Sequence, residues 1–195
     1  MRISFVHTKG GVGKTTCSIY LATAMARRGL DVEVLDADPQ GSATRWAEVA
    51  ELNDDPLEVI VRPVTAKQLA DKDGADWQIV DTPPGTANEI QAAIDTADLV
   101  IVPTHASPMD VDRVWPTLET TSHVMTGVLI EGVYERRTLF REVRELFEDQ
   151  AVATFYNFVP DREEIRASFG SNPTNLYTFD DIYTELAEIW ENDNE

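Results

Sequence analysis

Short apolar runs of strand length alternate along the chain with segments whose apolar positions follow a helical period. This alternation is typical of strands joined by crossover helices, and it predicts a three-layer α/β fold with a mostly parallel, doubly wound sheet. Because the connections are short, residues 1–195 are predicted to form one domain without a linker. The predicted strands cover residues 2–8, 32–36, 57–61, 77–81, 99–103, 128–133 and, last in the series, 151–159.

The helical segments have recognisable ends. The first helix is predicted over residues 14–28, because Gly29 can adopt the left-handed conformation that closes a helix. A turn at residues 39–41 precedes a second helix from about Ser42, and a short helix is predicted near residues 65–70. Near the C-terminus, apolar residues recur at spacings of three and four and predict an amphipathic helix docked on the domain: Phe179, Ile182, Tyr183, Leu186, Ile189 and Trp190.

Length and composition favour a globular protein. A chain of 195 residues with 43% hydrophobic residues can bury a full core. The single cysteine, Cys17, excludes an internal disulfide or a cysteine-built metal cluster. The three histidines show no metal-ligand spacing and are interpreted as structural: His7, His105 and His123.

Nothing in the sequence predicts a membrane attachment. No apolar run approaches the roughly 18 residues that a membrane-spanning helix needs, and the first apolar stretch is too short for a signal peptide. The C-terminal amphipathic segment, residues 178–195, lacks the basic residues that anionic lipids attract. We therefore expect a cytoplasmic protein that does not bind membranes.

The charge of the chain is strongly acidic, with 35 Asp and Glu against 16 Lys and Arg and a formal net charge of −19. Only four of the basic residues are lysines, and two of these, Lys9 and Lys14, belong to the glycine-rich segment described next. An acidic, lysine-poor surface suits a protein in concentrated salt, where screening weakens the repulsion among its charges. The composition favours the hypothesis of a halophilic source, with an ordinarily acidic mesophilic protein as the alternative.

The segment from Lys9 to Thr16, with the sequence K-G-G-V-G-K-T-T, follows an apolar strand and opens a helix. In that context glycines let the backbone approach a phosphate, and successive N–H groups point at the anion from the positive end of the helix. Lys14 would reach the β- and γ-phosphate oxygens of ATP, and Thr15 would bring its hydroxyl to Mg²⁺. The predicted nucleotide-binding residues are Lys9, Gly10, Gly11, Val12, Gly13, Lys14, Thr15 and Thr16.

This loop departs from the common phosphate-binding form, because Thr8 stands at its first position in place of glycine and a second lysine, Lys9, stands at its front. The arrangement resembles the deviant Walker A loop of the ParA/MinD family of ATPases. The resemblance implies that Lys9 is catalytic together with Lys14 and reaches across a dimer interface to the phosphates of the partner's ATP. ATP would then join two subunits face to face, and hydrolysis would release them. Since the chain starts at the first strand, it is similar to the short ParA-type members.

Two further motifs occur where this resemblance requires them. Residues 36–42, D-A-D-P-Q-G-S, are similar to the D-x-D-P-Q-G motif of the ParA branch, which implies that Asp38 is catalytic and orients or polarises the attacking water. Asp36 would lie near the magnesium shell or brace the loop. An apolar strand that ends in Asp81 is the Walker B arrangement, so Asp81 is predicted to hold Mg²⁺ through water. Residues 82–86 would form the switch that senses the γ-phosphate.

The resemblance spans about the whole chain, with looser matches in its second half, and it narrows the function. One cysteine cannot serve the bridging cluster of nitrogenase iron proteins, and the D-x-D-P-Q motif argues against the biotin-synthesis relatives. What remains is a slow ATPase, stimulated by a ParB-like or other cargo-bound partner, whose ATP-bound homodimer binds DNA without sequence preference. Such a protein would position or segregate plasmids, chromosomes or large cargo, and would associate with the nucleoid.

Nonspecific DNA binding needs basic side chains that contact phosphates. The candidates lie in one stretch that also contains Arg144: Arg136, Arg137, Arg141, Arg162 and Arg166. Seven acids share this stretch and alternate with the arginines at helical spacing, so ion pairs on helix surfaces are an equally good interpretation. An ATP-switched protein-binding module without a DNA role therefore stays open as the alternative, and the acidic surface favours it.

Overall fold

Six strands form the central sheet of the computed structural model, which describes residues 1–85 and 88–193. They are β1 (Arg2–Phe5), β2 (Val32–Asp36), β3 (Ile60–Pro63), β4 (Trp77–Asp81), β5 (Leu99–His105) and β6 (Thr126–Glu131). Their order across the sheet is β3-β2-β4-β1-β5-β6, and all of these pairings are parallel. The chain therefore starts in the middle of the sheet and winds toward each edge in turn, which confirms the doubly wound α/β prediction.

Helices cover both faces of this sheet and complete three layers. They are α1 (Lys14–Arg27), α2 (Ser42–Leu52), α3 (Ala66–Leu69), α4 (Asn88–Asp95), α5 (Pro108–Thr120), α6 (Thr138–Asp149), α7 (Glu163–Ala167) and α8 (Phe179–Asp193). Helices α1, α2, α7 and α8 pack on one face, and α3 to α6 pack on the other. In β5, Leu99 and Ile101 face the first layer while Val100 and Val102 face the second, so a strand buried on both sides is apolar throughout.

The predicted last strand, residues 151–159, is wrong. In the described part of the chain this segment runs beside β6 and makes only isolated parallel bridges there. The ladder is interrupted because the backbone N–H groups of Tyr156 and Asn157 donate instead to the carboxylate of Glu185 in α8, at 2.5 and 3.0 Å. A side chain from a distant helix thus replaces the strand partner.

Four strands also differ in their bounds from the predictions, among them β5 (Leu99–His105, predicted over 99–103) and β6 (Thr126–Glu131, predicted over 128–133). The first strand ends at Phe5 rather than at residue 8, because the chain turns out of the sheet to form the glycine-rich loop. The third strand covers Ile60–Pro63 rather than residues 57–61, and it pairs only with β2 at the edge of the sheet. Leu57, on which the earlier boundary rested, packs against the core from the loop before the strand.

The C-terminal helix α8 docks on α1, as its apolar spacing predicts. Phe179, Ile182 and Leu186 are fully buried there, and the rings of Tyr20 and Phe179 lie 5.0 Å apart between centroids. The helix is therefore part of the core. Among the described residues, no helix combines the length and apolar character needed to cross a membrane.

Candidate functional site

The glycine-rich loop, residues 9–16, leaves the carboxyl end of β1 and runs into α1. Gly11 and Gly13 each have a φ of 75°, a left-handed conformation that other residues adopt only with strain. Gly13 is the N-cap of α1, and its carbonyl accepts a hydrogen bond from the backbone N–H of Cys17 at 2.8 Å. The first N–H groups of α1, which have no intrahelical acceptor, thus face the mouth of the loop and form an anion-binding geometry.

Lys14, the first residue of α1, is buried inside this loop. Its Nζ donates one long hydrogen bond of 3.3 Å to the backbone oxygen of Lys9. Burial lowers the pKa of Lys14, and the nearby carboxylates of Asp81 and Asp38 partly oppose that shift. A desolvated ammonium with so weak an acceptor is well placed to gain a phosphate oxygen as a stronger partner.

Asp81, at the carboxyl end of β4, is fully buried beside the loop. Its Oδ2 accepts a hydrogen bond from Thr15 Oγ1 at 2.7 Å, whereas its Oδ1 has no partner among the residues that the structure describes. Burial raises the pKa of Asp81 to about 7, although Thr15 and Lys14 stabilise the charged form. A buried carboxylate oxygen without a donor is an unfavourable feature that a cation would relieve.

The pair of Thr15 and Asp81 fits Mg²⁺. Within the described ranges 1–85 and 88–193, no group of three or more His, Cys, Asp and Glu side chains could hold a metal ion by itself. Magnesium bound with a nucleotide usually takes one or two carboxylates and completes its shell with water and phosphate oxygens. A hydroxyl and one carboxylate beside a phosphate-binding loop therefore suffice.

Asp36, at the carboxyl end of β2, braces the following loop. Its Oδ2 accepts hydrogen bonds of 2.7 Å from both the backbone N–H and the Oγ1 of Thr44, and its Oδ1 accepts from the N–H of Asp38 at 3.2 Å. Asp36 thus caps the N-terminus of α2, where Gly41 at the N-cap position offers no side-chain acceptor. Of the two roles predicted for Asp36, these contacts match the bracing role.

Asp38 lies between Asp36 and the turn that begins α2, and its side chain borders the cleft above the glycine-rich loop. Its Oδ1 accepts a hydrogen bond from the N–H of Gln40 at 2.9 Å, which fixes the carboxylate as part of the turn. The residue is half-buried. The structure therefore holds a charged group beside the phosphate end of the cleft, where the sequence predicts the residue that orients water.

Lys9 stands on the other side of the loop and is ion-paired with Asp110 near the start of α5. Its side chain is 39% exposed, whereas that of Asp110 is only 8% exposed. Burial by itself would raise the pKa of Asp110, but hydrogen bonds from Lys9 and Ser107 hold it below its ordinary value. Lys9 is thus an accessible ammonium with an intramolecular partner.

His105 and Glu131 contact each other on this side of the loop, and the sequence interpretation gave neither of them a role at this site. His105 Nε2 lies 2.8 Å from Glu131 Oε1, and His105 Nδ1 lies 3.9 Å from Asp110 Oδ2. The hydrogen bond to Glu131 raises the pKa of His105, although burial opposes it. No spacing signal could have found this pair, because its members end two different strands and meet only in the sheet.

Above the loop lies a cleft of about 670 Å³. The loop, Thr82, Pro84 and Asp38 line one end of this cleft. Its far wall includes the apolar side chains of Trp46, Val159, Pro160, Ile165 and Phe169. Phe169 is half exposed, and its ring centroid lies 5.6 Å from that of Trp46. With phosphates in the loop, this apolar end is where a nucleoside would lie. The sequence interpretation named none of these residues as base contacts.

The candidate DNA-binding arginines divide into two groups. Arg162 and Arg166 border the cleft, and Arg166 is ion-paired with Asp161. The other candidates precede or belong to α6, outside the residues that line the cleft: Arg136, Arg137 and Arg141. The guanidinium of Arg137 lies 4.0 Å from the ring centroid of Tyr134. Arg162 and Arg166 therefore stand where they can meet a nucleotide.

The predicted switch begins beside the loop and extends past the described residues. Thr82 Oγ1 donates to the backbone oxygen of Phe5 at 2.6 Å, and the N–H of Gly85 donates to the backbone oxygen of Thr8 at 2.9 Å. These contacts tie residues 82–85 to β1 and to the residue before the loop that is predicted to hold the γ-phosphate. The last predicted switch residue, Thr86, lies outside the described residues.

A doubly wound parallel sheet, a glycine-rich loop between β1 and α1, and a buried Thr15–Asp81 pair define a P-loop nucleotide-binding protein. Its cleft lies at the carboxyl ends of the strands, where ligands bind in such sheets. The chain belongs to the CobQ/CobB/MinD/ParA nucleotide-binding domain family (CbiA), whose model matches residues 3–174. This confirms the resemblance to the ParA/MinD ATPases.

Two relatives and one solved structure show which proteins the chain is similar to. The maintenance of carboxysome distribution protein A of Gloeobacter kilaueensis is 39% identical over 152 residues, which cover 70% of this chain and 69% of that protein. The chromosome-partitioning ATPase Soj of Thermus thermophilus is 32% identical over 180 residues and covers 72% of each chain. A structure of cobyrinic acid a,c-diamide synthase from Mycobacterium smegmatis, with bound ATP analogue and magnesium, matches the fold with a TM-score of 0.69 at 20% identity, over 87% of this chain and 90% of that one.

Proposed function

We propose that this chain is an ATP-dependent, dimerising ATPase that positions or segregates DNA or large cargo. The observation that carries the proposal is the arrangement around one cleft: Thr15 and Asp38 line it, Asp81 lies behind Thr15, and Lys9 stands at the front of the loop. Family membership supports a nucleotide-binding ATPase, and the two relatives named for distribution and partitioning support positioning.

ATP and Mg²⁺ are the cofactors of this activity. The backbone of residues 9–16 and the ammonium of Lys14 bind the β- and γ-phosphates. Thr15 and Asp81 would hold Mg²⁺, Asp81 through water, and the ion would supply positive charge to the phosphate oxygens. The buried Asp81 Oδ1, which lacks a hydrogen-bond partner among the described residues, supports this assignment because a cation would stabilise it. The fold match to the synthase structure with an ATP analogue and magnesium supports it as well.

Asp38 and Lys9 supply what the loop alone does not. Asp38 orients the attacking water, since its carboxylate is fixed by the turn and borders the cleft. Lys9 contacts the phosphates of the partner subunit's ATP, for which it must exchange Asp110 for a phosphate oxygen. Its partial exposure supports this role, because a fully buried lysine could not reach a second subunit.

DNA binding and partner stimulation complete the proposal. The ATP dimer binds DNA nonspecifically through arginines of the 136–166 stretch, which would place it on the nucleoid, and a ParB-like or other cargo-bound protein stimulates hydrolysis. A second candidate is an ATP-switched protein-binding module without DNA. The net charge of −19 favours it, as does the position of Arg162 and Arg166 at the cleft, which leaves fewer arginines for DNA.

The first test is the mass of the protein by light scattering in high-salt buffer. Asp38→Ala should double in mass with ATP and Mg²⁺ but not with ADP, because the ATP dimer forms and is not hydrolysed. Adding Lys9→Ala to Asp38→Ala should keep nucleotide binding and lose the dimer. Asp31→Ala is the matched control, because it removes an exposed acid at the opposite end of β2. Its mass should change with nucleotide as that of the wild type does.

A mass that stays constant with ATP would contradict the dimerising switch. If the dimer forms, its retention on nonspecific duplex DNA separates the two candidates. Retention that requires ATP and falls on Arg137→Ala and Arg141→Ala supports the positioning ATPase. Dimerisation without any retention, even at low salt, favours the protein-binding module.

A further inference from the structure

Glu131, the last residue of β6, lies against the glycine-rich loop. Its side chain is only 11% exposed, and its carboxylate occupies the space into which a Cβ on Gly13 would project. Glu131 also lines the cleft together with Gly132. One flank of the loop that is proposed to hold the phosphates therefore carries a carboxylate in direct contact with it.

An uncompensated carboxylate at this position would oppose nucleotide binding. A nucleoside diphosphate brings several negative charges into the loop, and like charges repel more strongly where the protein excludes water. A fixed cation beside the acid at position 131 would remove this repulsion.

His105 is the group that contacts this carboxylate, with Nε2 lying 2.8 Å from Glu131 Oε1. Two glycines at positive φ make room for the pair. Gly13 clears the carboxylate, and Gly132, with a φ of 63°, clears the imidazole, whose Cδ2 would lie 2.9 Å from a Cβ at that position. Both glycines also border the cleft, so the pair is part of the cleft wall.

The other charged groups around His105 leave it available to Glu131. Asp110 of α5 also faces His105, but Asp110 is ion-paired with Lys9 of the loop, and these two charges offset each other. His7, which lies between β1 and the loop, has its pKa lowered to about 4 by burial and by Lys14, so it is neutral near pH 7. The remaining uncompensated acid on this flank is Glu131.

We propose that His105 is a positioning residue for nucleotide binding: as imidazolium it holds and neutralises Glu131 beside Gly13, so that the phosphates meet a flank without net charge. This inference rests on the proposed function only in requiring that the loop binds a nucleoside diphosphate. It depends neither on dimerisation nor on hydrolysis, nor on DNA.

The test is calorimetric titration of the full chain with ADP and Mg²⁺, near pH 7. His105→Gln should raise the dissociation constant about tenfold, because Glu131 is left charged beside the phosphates. Glu131→Gln should bind ADP at least as tightly as the wild type. The double variant, His105→Gln with Glu131→Gln, should have the same dissociation constant as Glu131→Gln alone. His123→Gln is the matched control, since His123 pairs with Asp95 at 3.3 Å on the surface, where both side chains are more than half exposed.

The pH profile gives a readout that a purely structural role would not move. His105 has a raised pKa, so it is charged below that value and loses its charge as the pH rises through it. The wild type should therefore bind ADP more weakly as the pH rises from about 7 to about 9, a range in which the terminal phosphate is almost fully ionised. In Glu131→Gln this decline should disappear. The variants leave Asp81 and Lys14 in place, so the difference between the two profiles, and not either profile alone, tests His105.

The inference is overturned if the double variant binds as weakly as His105→Gln, because the effect would then come from Asp110 and Lys9 or from packing. It is equally overturned if the wild type and Glu131→Gln share one pH profile, a comparison that holds even if His105→Gln does not fold. A wild type that binds no ADP at all is a distinct result, which refutes the proposed function and this inference with it.

Discussion

The two flanks of the glycine-rich loop carry the same kind of residue in opposite electrostatic states. On the flank formed by β4 and β2, Asp81 is buried with one oxygen lacking a partner among the described residues, and Asp38 borders the cleft. On the flank formed by β5 and β6, each acid has a basic partner: Asp110 pairs with Lys9, and Glu131 contacts His105. The two acids of the first flank share the nearby ammonium of Lys14, whereas each acid of the second flank has a basic partner of its own.

This difference indicates that the basic partner of a carboxylate determines whether that carboxylate can bind a divalent cation beside the loop. An acid beside a phosphate-binding loop that has no ion-pair partner of its own can bind a divalent cation together with the nucleotide. An acid that already has one leaves the phosphates unopposed on its side. The experiments below test this contrast, from the largest expected effect to the smallest.

Lys14→Ala should abolish measurable nucleotide binding, with a loss of at least about a hundredfold in affinity. The ammonium is the positive charge inside the loop, and its removal leaves Asp81 and Asp38 facing the phosphates. Equilibrium binding of ADP and ATP with Mg²⁺ measures the effect. Lys67→Ala, an exposed lysine in α3, is the control. Binding that survives Lys14→Ala would place the phosphates elsewhere.

Asp81→Asn should stabilise the nucleotide-free protein at alkaline pH while weakening the binding of ATP with Mg²⁺. The pKa of Asp81 is raised to about 7, so ionisation of this buried carboxyl costs folding energy as the pH rises from its ordinary value through 7. The advantage of Asp81→Asn in free energy of unfolding should therefore grow by about 2–3 kcal/mol between about pH 5 and 8. Urea titrations measure it.

For this variant, Asp31→Asn is the matched control, because that acid is exposed. On the opposite flank Glu131→Gln should give no comparable gain, since its carboxylate is already compensated by His105. Equal pH profiles of stability for Asp81→Asn and the wild type would remove the contrast between the flanks.

Salt should stabilise the whole chain by a smaller amount. With a net charge of −19, surface acids repel one another, and screening shortens the reach of that repulsion from about 10 Å at 0.1 M to about 3 Å at 1 M salt. The melting temperature should rise by about 5 °C over this range of sodium chloride. The gain from Asp81→Asn should persist in salt, because a buried group is screened little. A melting temperature independent of salt would argue against the halophilic hypothesis.

Much of the fold followed from local patterns. Strands β2 and β4 and the start of helix α1 lie where the sequence predicts them. Apolar runs and glycine positions predict these elements because each element forms from residues that are near in sequence. The segment 151–159 has the composition of a strand, but Glu185, far along the chain, takes its backbone donors. No local pattern reports such competition.

The site divides in the same way. Residues 9–16 and Asp81 could be predicted from a glycine-rich loop and a carboxylate that each follow an apolar strand, and Asp38 from the resemblance of residues 36–42 to the ParA motif. The apolar end of the cleft could not, since Trp46 and Phe169 are more than a hundred residues apart and meet only through the packing of α2 against the segment after α7.

The sequence by itself determined the class of fold, the family and the phosphate-binding loop, because each depends on residues that are contiguous or regularly spaced. Only the tertiary structure decided which acids have counter-ions. Asp81, Asp110 and Glu131 come from three different elements, and the charge that each faces depends on the order of strands in the sheet and on which helix begins beside each strand end. Electrostatic interactions act through space, so their balance appears only once the chain is folded.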